Sequence, residues 1–157
     1  MPSQQELDKT YLAMARVWAK LSKAEKRQVG RLIVKDCTII SDGYNGTPSG
    51  FNNQCEWKRQ IGTYSIDTPD YQKEYKLETK PEVLHAESNA ISKLAKSTQS
   101  SYGATLYVTC APCFDCSKLI IQCGIERVVY AEKYRTCDGI NLLEKAGIKI
   151  DYLSDNE

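Results

Sequence analysis

Histidine is almost missing from this chain: His85 is the only one in 157 residues. At most one metal site can therefore include an imidazole ligand. Long apolar runs are missing too, and no segment approaches the roughly 20 residues that span a bilayer, so no transmembrane helix and no membrane partner are expected. Charge of one sign is not in surplus either. Lys and Arg total 21 against 20 Asp and Glu, a net charge of +1. This removes the global electrostatic argument for a nucleic-acid partner and favours a small substrate. Neither an internal repeat nor a low-complexity segment is visible. The first residues, Met1-Pro-Ser-Gln-Gln-Glu6, are polar rather than secretory, and the seven cysteines are an odd number. Both point to reduced thiols and a cytoplasmic setting, that of a host cell if the protein is viral.

What is present describes one globular domain over residues 1–157, with residues 51–83 as an insertion inside it. Hydrophobic residues make up 41% and charged residues 26%, enough for a sizeable core. Leu7, Tyr11, Leu12, Met14, Ala15 and Trp18 recur at three- and four-residue steps, which predicts a helix over about 4–21 with Ser3 as its cap. Val29–Lys35 and Thr38–Tyr44 read as a hairpin turning at Asp36-Cys37. His85–Lys96 reads as a helix whose inward stripe is Ala86, Ala90, Ile91, Leu94 and Ala95.

Strands at about 104–109, 126–131 and 148–153 then alternate with helices at about 112–123 and 139–146, stopped by Gly124 and Gly147. This order predicts an α/β fold, a three-layer α/β/α sandwich around a five-stranded mixed sheet. The tail Asp155-Asn-Glu157 reads as a solvated end.

The chemistry is concentrated in His85-Ala86-Glu87 and Pro112-Cys113-Phe114-Asp115-Cys116. This pair of elements resembles the H-x-E and P-C-x-x-C signature of zinc nucleobase deaminases. One imidazole and two thiolates form a soft set that suits tetrahedral Zn²⁺ and leaves a fourth position for water, whose pKa zinc lowers to about 7. Glu87, two residues from His85, is then a proton shuttle rather than a ligand. Cys110, Cys113 and Cys116 form two overlapping C-x-x-C pairs. Cys113 and Cys116 are preferred because Pro112 suits the first turn of a helix, whose positive end favours thiolate. If Cys110 also ligated, the site would be a closed, structural zinc of three cysteines and one histidine. A redox C-x-x-C is a further alternative.

A second constellation narrows the family. Gly43-Tyr44-Asn45-Gly46-Thr47-Pro48-Ser49-Gly50 resembles the G-Y-N-G-x-P-x-G segment of deoxycytidylate (dCMP) deaminases. Together with Val29-Gly30, His85–Ile91, Tyr107-Val108-Thr109, Pro112–Cys116 and Cys123-Gly124-Ile125, the resemblance covers about residues 7–150. Its implied fold is that of cytidine deaminases, and its implied activity is hydrolysis of dCMP to dUMP and ammonia, which feeds thymidylate synthesis. In that resemblance the backbone at Ala86 lies against the cytosine, Asn45 over the deoxyribose and Tyr134 near the monophosphate. The segment Asp42, Gly43, Tyr44, Asn45 and Gly46 helps form a regulatory site where dCTP activates and dTTP inhibits, with Mg²⁺ accompanying the triphosphate. A homohexamer is implied as well.

The residues of the loop allow two readings. Gly43, Gly46 and Gly50 are free to take positive φ and let amides approach an anion or sugar, whereas Asn-Gly is also a common tight turn. Arg27 and Arg135 are candidate phosphate partners through bidentate guanidinium contacts. The insertion carries Trp57, Tyr64, Tyr71 and Tyr75 and reads as a lid, a packing flap or a subunit contact. It lacks histidine, so Cys37 and Cys55 are insufficient for a second zinc. Other deaminases of the same chemistry, acting on free cytidine or on adenosine in tRNA, are less well matched. The +1 charge and the Gly43–Gly50 loop argue against tRNA. The long interval before His85 argues against free cytidine. A non-catalytic assembly protein with a structural zinc is the reading from a different class.

Overall fold

The computed structural model describes residues 1–61 and 74–154. Tyr64 and Tyr71 of the insertion, and the tail Asp155–Glu157, lie outside the described residues.

Helix α1 (Gln4–Ala19) starts at Ser3, whose hydroxyl accepts from the Glu6 amide while the Glu6 carboxylate reaches back to the Ser3 amide. Strands β1 (Gly30–Lys35) and β2 (Thr38–Tyr44) follow as an antiparallel hairpin. Both turn residues, Asp36 and Cys37, have positive φ, at 49° and 58°. This is the backbone twist that short hairpins require. Next come β3 (Glu56–Ile61) and β4 (Glu74–Thr79), then α2 (Ala86–Leu94), β5 (Thr105–Cys110), α3 (Phe114–Gln122), β6 (Arg127–Glu132), α4 (Asp138–Lys145) and β7 (Lys149–Tyr152). Gly124 and Gly147 end α3 and α4 with φ of 79° and 81°, as C-caps do.

The central sheet has five strands in the order β2-β1-β5-β6-β7, antiparallel across β2, β1 and β5 and parallel across β5, β6 and β7. The expected mixed sheet and its helix layers are therefore found. Side-chain alternation sorts the strands onto two cores. Leu32, Val34, Tyr107, Val129 and Ala131 pack under α1 with Tyr11, Leu12 and Ala15. Ile33, Leu106, Val108 and Val128 pack under Ala90 and Leu94 of α2, Ile120 of α3 and Leu143 of α4. Each fully buried aliphatic of this kind contributes roughly 1.5–3 kcal/mol.

Three local expectations are corrected. Met14 and Ala95 are exposed, because each lies off the face its helix turns to the sheet. Helix α3 begins at Phe114 with Cys113 as its N-cap, so Pro112 precedes the helix rather than opening it. The insertion is not wholly irregular. β3 and β4 pair as a separate two-stranded antiparallel sheet, with only Trp57 and Ile61 of β3 and Tyr75 and Leu77 of β4 as weak apolar alternation.

Candidate metal and substrate site

The site forms where two helices start over the central sheet. His85 is the N-cap of α2 and Cys113 the N-cap of α3, with Cys116 one turn into α3. The carboxyl end of β5 delivers the chain to Cys113 through Ala111-Pro112, so the site lies outside the carboxyl end of a parallel strand, the usual place for ligands in such sheets. The His85 Nδ1 lies 3.5 Å from the Cys113 Sγ and 3.3 Å from the Cys116 Sγ. All three ligand atoms fall within 4.8 Å of one another.

Hydrogen bonds from the Cys116 thiol and the His85 ring pull Cys113 down to about 4, despite partial burial. The same shared bond, with burial, pushes Cys116 up. An imidazole and two thiols, one of them held as thiolate at a helix N-terminus, are the donors that a soft tetrahedral Zn²⁺ takes. Cys110 stands outside this group. It is buried at the end of β5, burial pushes its thiol up, and its carbonyl accepts from Arg31 at 2.7 Å.

Glu87 is in the first turn of α2, only 2% exposed, and its carboxylate pairs with the Arg31 guanidinium. A cavity of about 800 Å³ opens over these groups, bounded by His85, Ala86, Glu87, Cys113, Asn45 and Tyr134 among others. Arg27 and Arg135 also border it. The Arg27 Nη2 is bound to Glu132 Oε2 at 2.8 Å, and the Arg135 guanidinium lies over the Tyr134 ring at 5.5 Å. Asn45 uses its amide on backbone: its Oδ1 accepts from the Val29 N–H at 2.9 Å and its Nδ2 donates to the Arg27 carbonyl at 2.8 Å.

A second cavity of about 520 Å³ lies along Gly43–Ser49 and shares Asn45 and Cys55 with the first. Lys23, Lys93 and Lys96 stand around it. Asp42, the remaining residue of the expected regulatory segment, is not among its lining residues and pairs with Lys93 instead. The glycines there work differently from the sequence expectation. Only Gly50 has positive φ, at 90°. At Gly43 a Cβ would fall 2.4 Å from the Ala86 carbonyl oxygen and 2.8 Å from the Ala90 nitrogen, so its role is to let α2 press against β2. That contact sets the height of His85 and Glu87 above the sheet.

Two contributors escaped the sequence reading. Arg31 was hidden inside an apolar strand, where a charged residue directly before the run Leu32-Ile33-Val34 was the available signal. The insertion supplies cavity wall through Cys55, Glu56, Thr79 and Val83, and the Glu56 carboxylate accepts from the amides of Glu25 and Lys26 at 3.0 and 3.2 Å. Trp57 and Tyr75 of the same hairpin are exposed.

A family model described as the cytidine and deoxycytidylate deaminase zinc-binding region matches residues 5–132. A deoxycytidylate deaminase of Mycobacterium phage D29 is 37% identical over 131 residues, 83% of this chain and 98% of its own. The deoxycytidylate deaminase of Saccharomyces cerevisiae is 33% identical over 155 residues, covering 96% of this chain and 46% of its own. Among solved structures, dCMP deaminase from the cyanophage S-TIM5, in complex with dCMP and dUMP, aligns with a TM-score of 0.81 at 36% identity, over 97% of this chain and all of that one.

Proposed function

The chain belongs to the cytidine and deoxycytidylate deaminase family, and on that premise we propose that it is a zinc enzyme that hydrolyses dCMP to dUMP and ammonia. The observation that carries this reading is the buried Glu87 carboxylate at the wall of the cavity that His85 and Cys113 also line, with Cys116 grouped beside those two. Those three residues would hold the ion, which when bound would acidify a water and so supply a nucleophile at neutral pH.

Glu87 would take up a proton as a water oxygen adds to C4 of the cytosine, and would deliver it to ring N3. It would next carry the proton of the C4 hydroxyl to the amino group; the C4–N bond breaks, the C4 carbonyl of dUMP forms and ammonia leaves. The backbone at Ala86 abuts the base, and Asn45 stands by the deoxyribose while its amide keeps the Arg27–Val29 backbone in place. Tyr134 and Arg27 address the monophosphate, Arg27 by exchanging its Glu132 partner for phosphate oxygens.

The second cavity, with its three lysines, takes a deoxynucleoside triphosphate together with Mg²⁺. There dCTP activates and dTTP inhibits. The whole chain acts as a single deaminase domain in the cytoplasm, as a homohexamer, with nucleotides rather than nucleic acid or membrane as its partners. Among the described residues, no helix is long and apolar enough to cross a membrane.

The test is ammonia release from dCMP, deoxycytidine, cytidine and dCTP, each with and without dCTP and dTTP as effectors. Turnover confined to dCMP, raised by dCTP and lowered by dTTP, is the expected result. Zinc bound without turnover of any of the four would leave the structural-zinc reading in its place.

A further inference from the structure

Arg31 lies in β1 with 3% of its surface exposed, next to the apolar run Leu32-Ile33-Val34. Its backbone is fixed from both sides, opposite Gly43 of β2 and Val108 of β5. It shares the parity of Ile33 and so turns to the α2 and α3 side of the sheet. One Nη contacts the Glu87 carboxylate, the other donates to the Cys110 carbonyl at 2.7 Å, and the buried Nε has no hydrogen-bond partner. A desolvated guanidinium is weak evidence for stability, since an apolar residue of similar volume often serves a core as well or better. An arginine kept here with one donor unmatched is better explained by what it does to Glu87.

We propose that Arg31 is a positioning residue for the deamination step. It holds one oxygen of the Glu87 carboxylate so that the other is left for proton exchange, and it ties that carboxylate to the end of β5, three residues before Cys113. Glu87 extends from the first turn of a helix and would otherwise sample several rotamers in a wide cavity. A contact to a rigid central strand removes that freedom before the substrate arrives. The inference rests on the reading of Glu87 as the proton carrier.

The experiment compares Arg31→Met, Arg31→Lys, Glu87→Gln and the double variant Arg31→Met/Glu87→Gln, with zinc content and folded fraction measured for each. Arg31→Met is expected to lower kcat for dCMP about 10²-fold with KM little changed, the scale of a misplaced catalytic group. Arg31→Lys should recover part of that loss. In single-turnover measurements the double variant should be no slower than Glu87→Gln alone, because a residue acting through Glu87 has nothing left to position. Added guanidinium ion, below denaturing concentrations, should raise the kcat of Arg31→Ala, which keeps the test open if Arg31→Met folds poorly. Multiplying losses in the double variant, a kcat loss that merely follows lost zinc, or a fully active Arg31→Met beside an inactive Glu87→Gln would each overturn the positioning role while leaving the proposed reaction intact. An active Glu87→Gln would overturn both.

Discussion

Two arginines point from the central sheet in opposite directions, and they are paired very differently. Arg127, on the α1 side, uses all of its guanidinium edges: Nε to Asp151 at 2.7 Å, and Nη1 and Nη2 to the two oxygens of Asp8 at 2.8 and 2.7 Å. Asp8 also accepts from the Tyr107 hydroxyl at 2.6 Å and from the Gln4 amide at 2.9 Å. Arg31, on the α2 and α3 side, leaves its Nε unmatched and spends its strongest contact on a residue that faces the cavity. A closed network ties α1 to β6; an incompletely matched one, beside the cavity, is what the proposed positioning of Glu87 draws on.

The largest effect expected on the reactive side comes from Glu87→Gln. Turnover should fall by about 10²–10⁴-fold while zinc per chain stays unchanged. Rate and metal content measured on one preparation separate a lost proton carrier from a lost site. On the closed side, Asp8→Ala should cost about 3–5 kcal/mol of stability, the scale of breaking a buried pair from one end, with little change in kcat for the fraction that remains folded. If the activity of the folded protein dropped as sharply as its stability, the division between the two faces would fail.

Acid sharpens the same contrast. Burial raises the Asp8 carboxyl, but hydrogen bonds from Arg127, Tyr107 and Gln4 outweigh it and hold the group below its ordinary value. Its contribution is therefore fully present above about pH 4, the unfolded-state value, and is lost as pH falls through the lower folded-state value. The melting temperatures of the parent and of Asp8→Asn should differ at neutral pH and converge as the solution is made acidic.

Smaller is the effect of Tyr134→Phe, which should cut kcat/KM for dCMP by about tenfold to a hundredfold, or 1.5–3 kcal/mol, and leave any activity on deoxycytidine nearly unchanged. Equal losses on both substrates would withdraw the phosphate contact. Cys110→Ser is expected to do least, with zinc and activity retained, since this thiol lies outside the metal-ligand group. Loss of zinc from that variant would restore the closed structural site as an alternative.

Local signals in the sequence were enough for most of the fold. Periodicity identified the four helices of the described residues, Gly124 and Gly147 marked two of their ends, and the resemblance of His85-Ala86-Glu87 and Pro112–Cys116 to the deaminase signature picked out His85, Cys113 and Cys116, which the structure brings together. What could not be read had non-local causes. β3 and β4 are strands because Glu56–Ile61 and Glu74–Thr79 pair with each other across the insertion. Arg31 looked like one more strand residue, since its partner Glu87 is 56 positions away. Gly43 looked like a turn glycine, because nothing in the loop sequence reveals that a helix carbonyl approaches it from the other side.

The placement of the metal ligands at two helix starts bears on the order of events when the protein is made. Ala90, Leu94 and Ile120 anchor α2 and α3 to the same apolar layer as Ile33, Leu106 and Val108. The three donors are thus carried to one point by the collapse of that layer, in contrast to zinc fingers, whose chains have little structure until the ion arrives. The apolar layer therefore contributes to where the three donors meet, in addition to whatever the ion's own binding supplies.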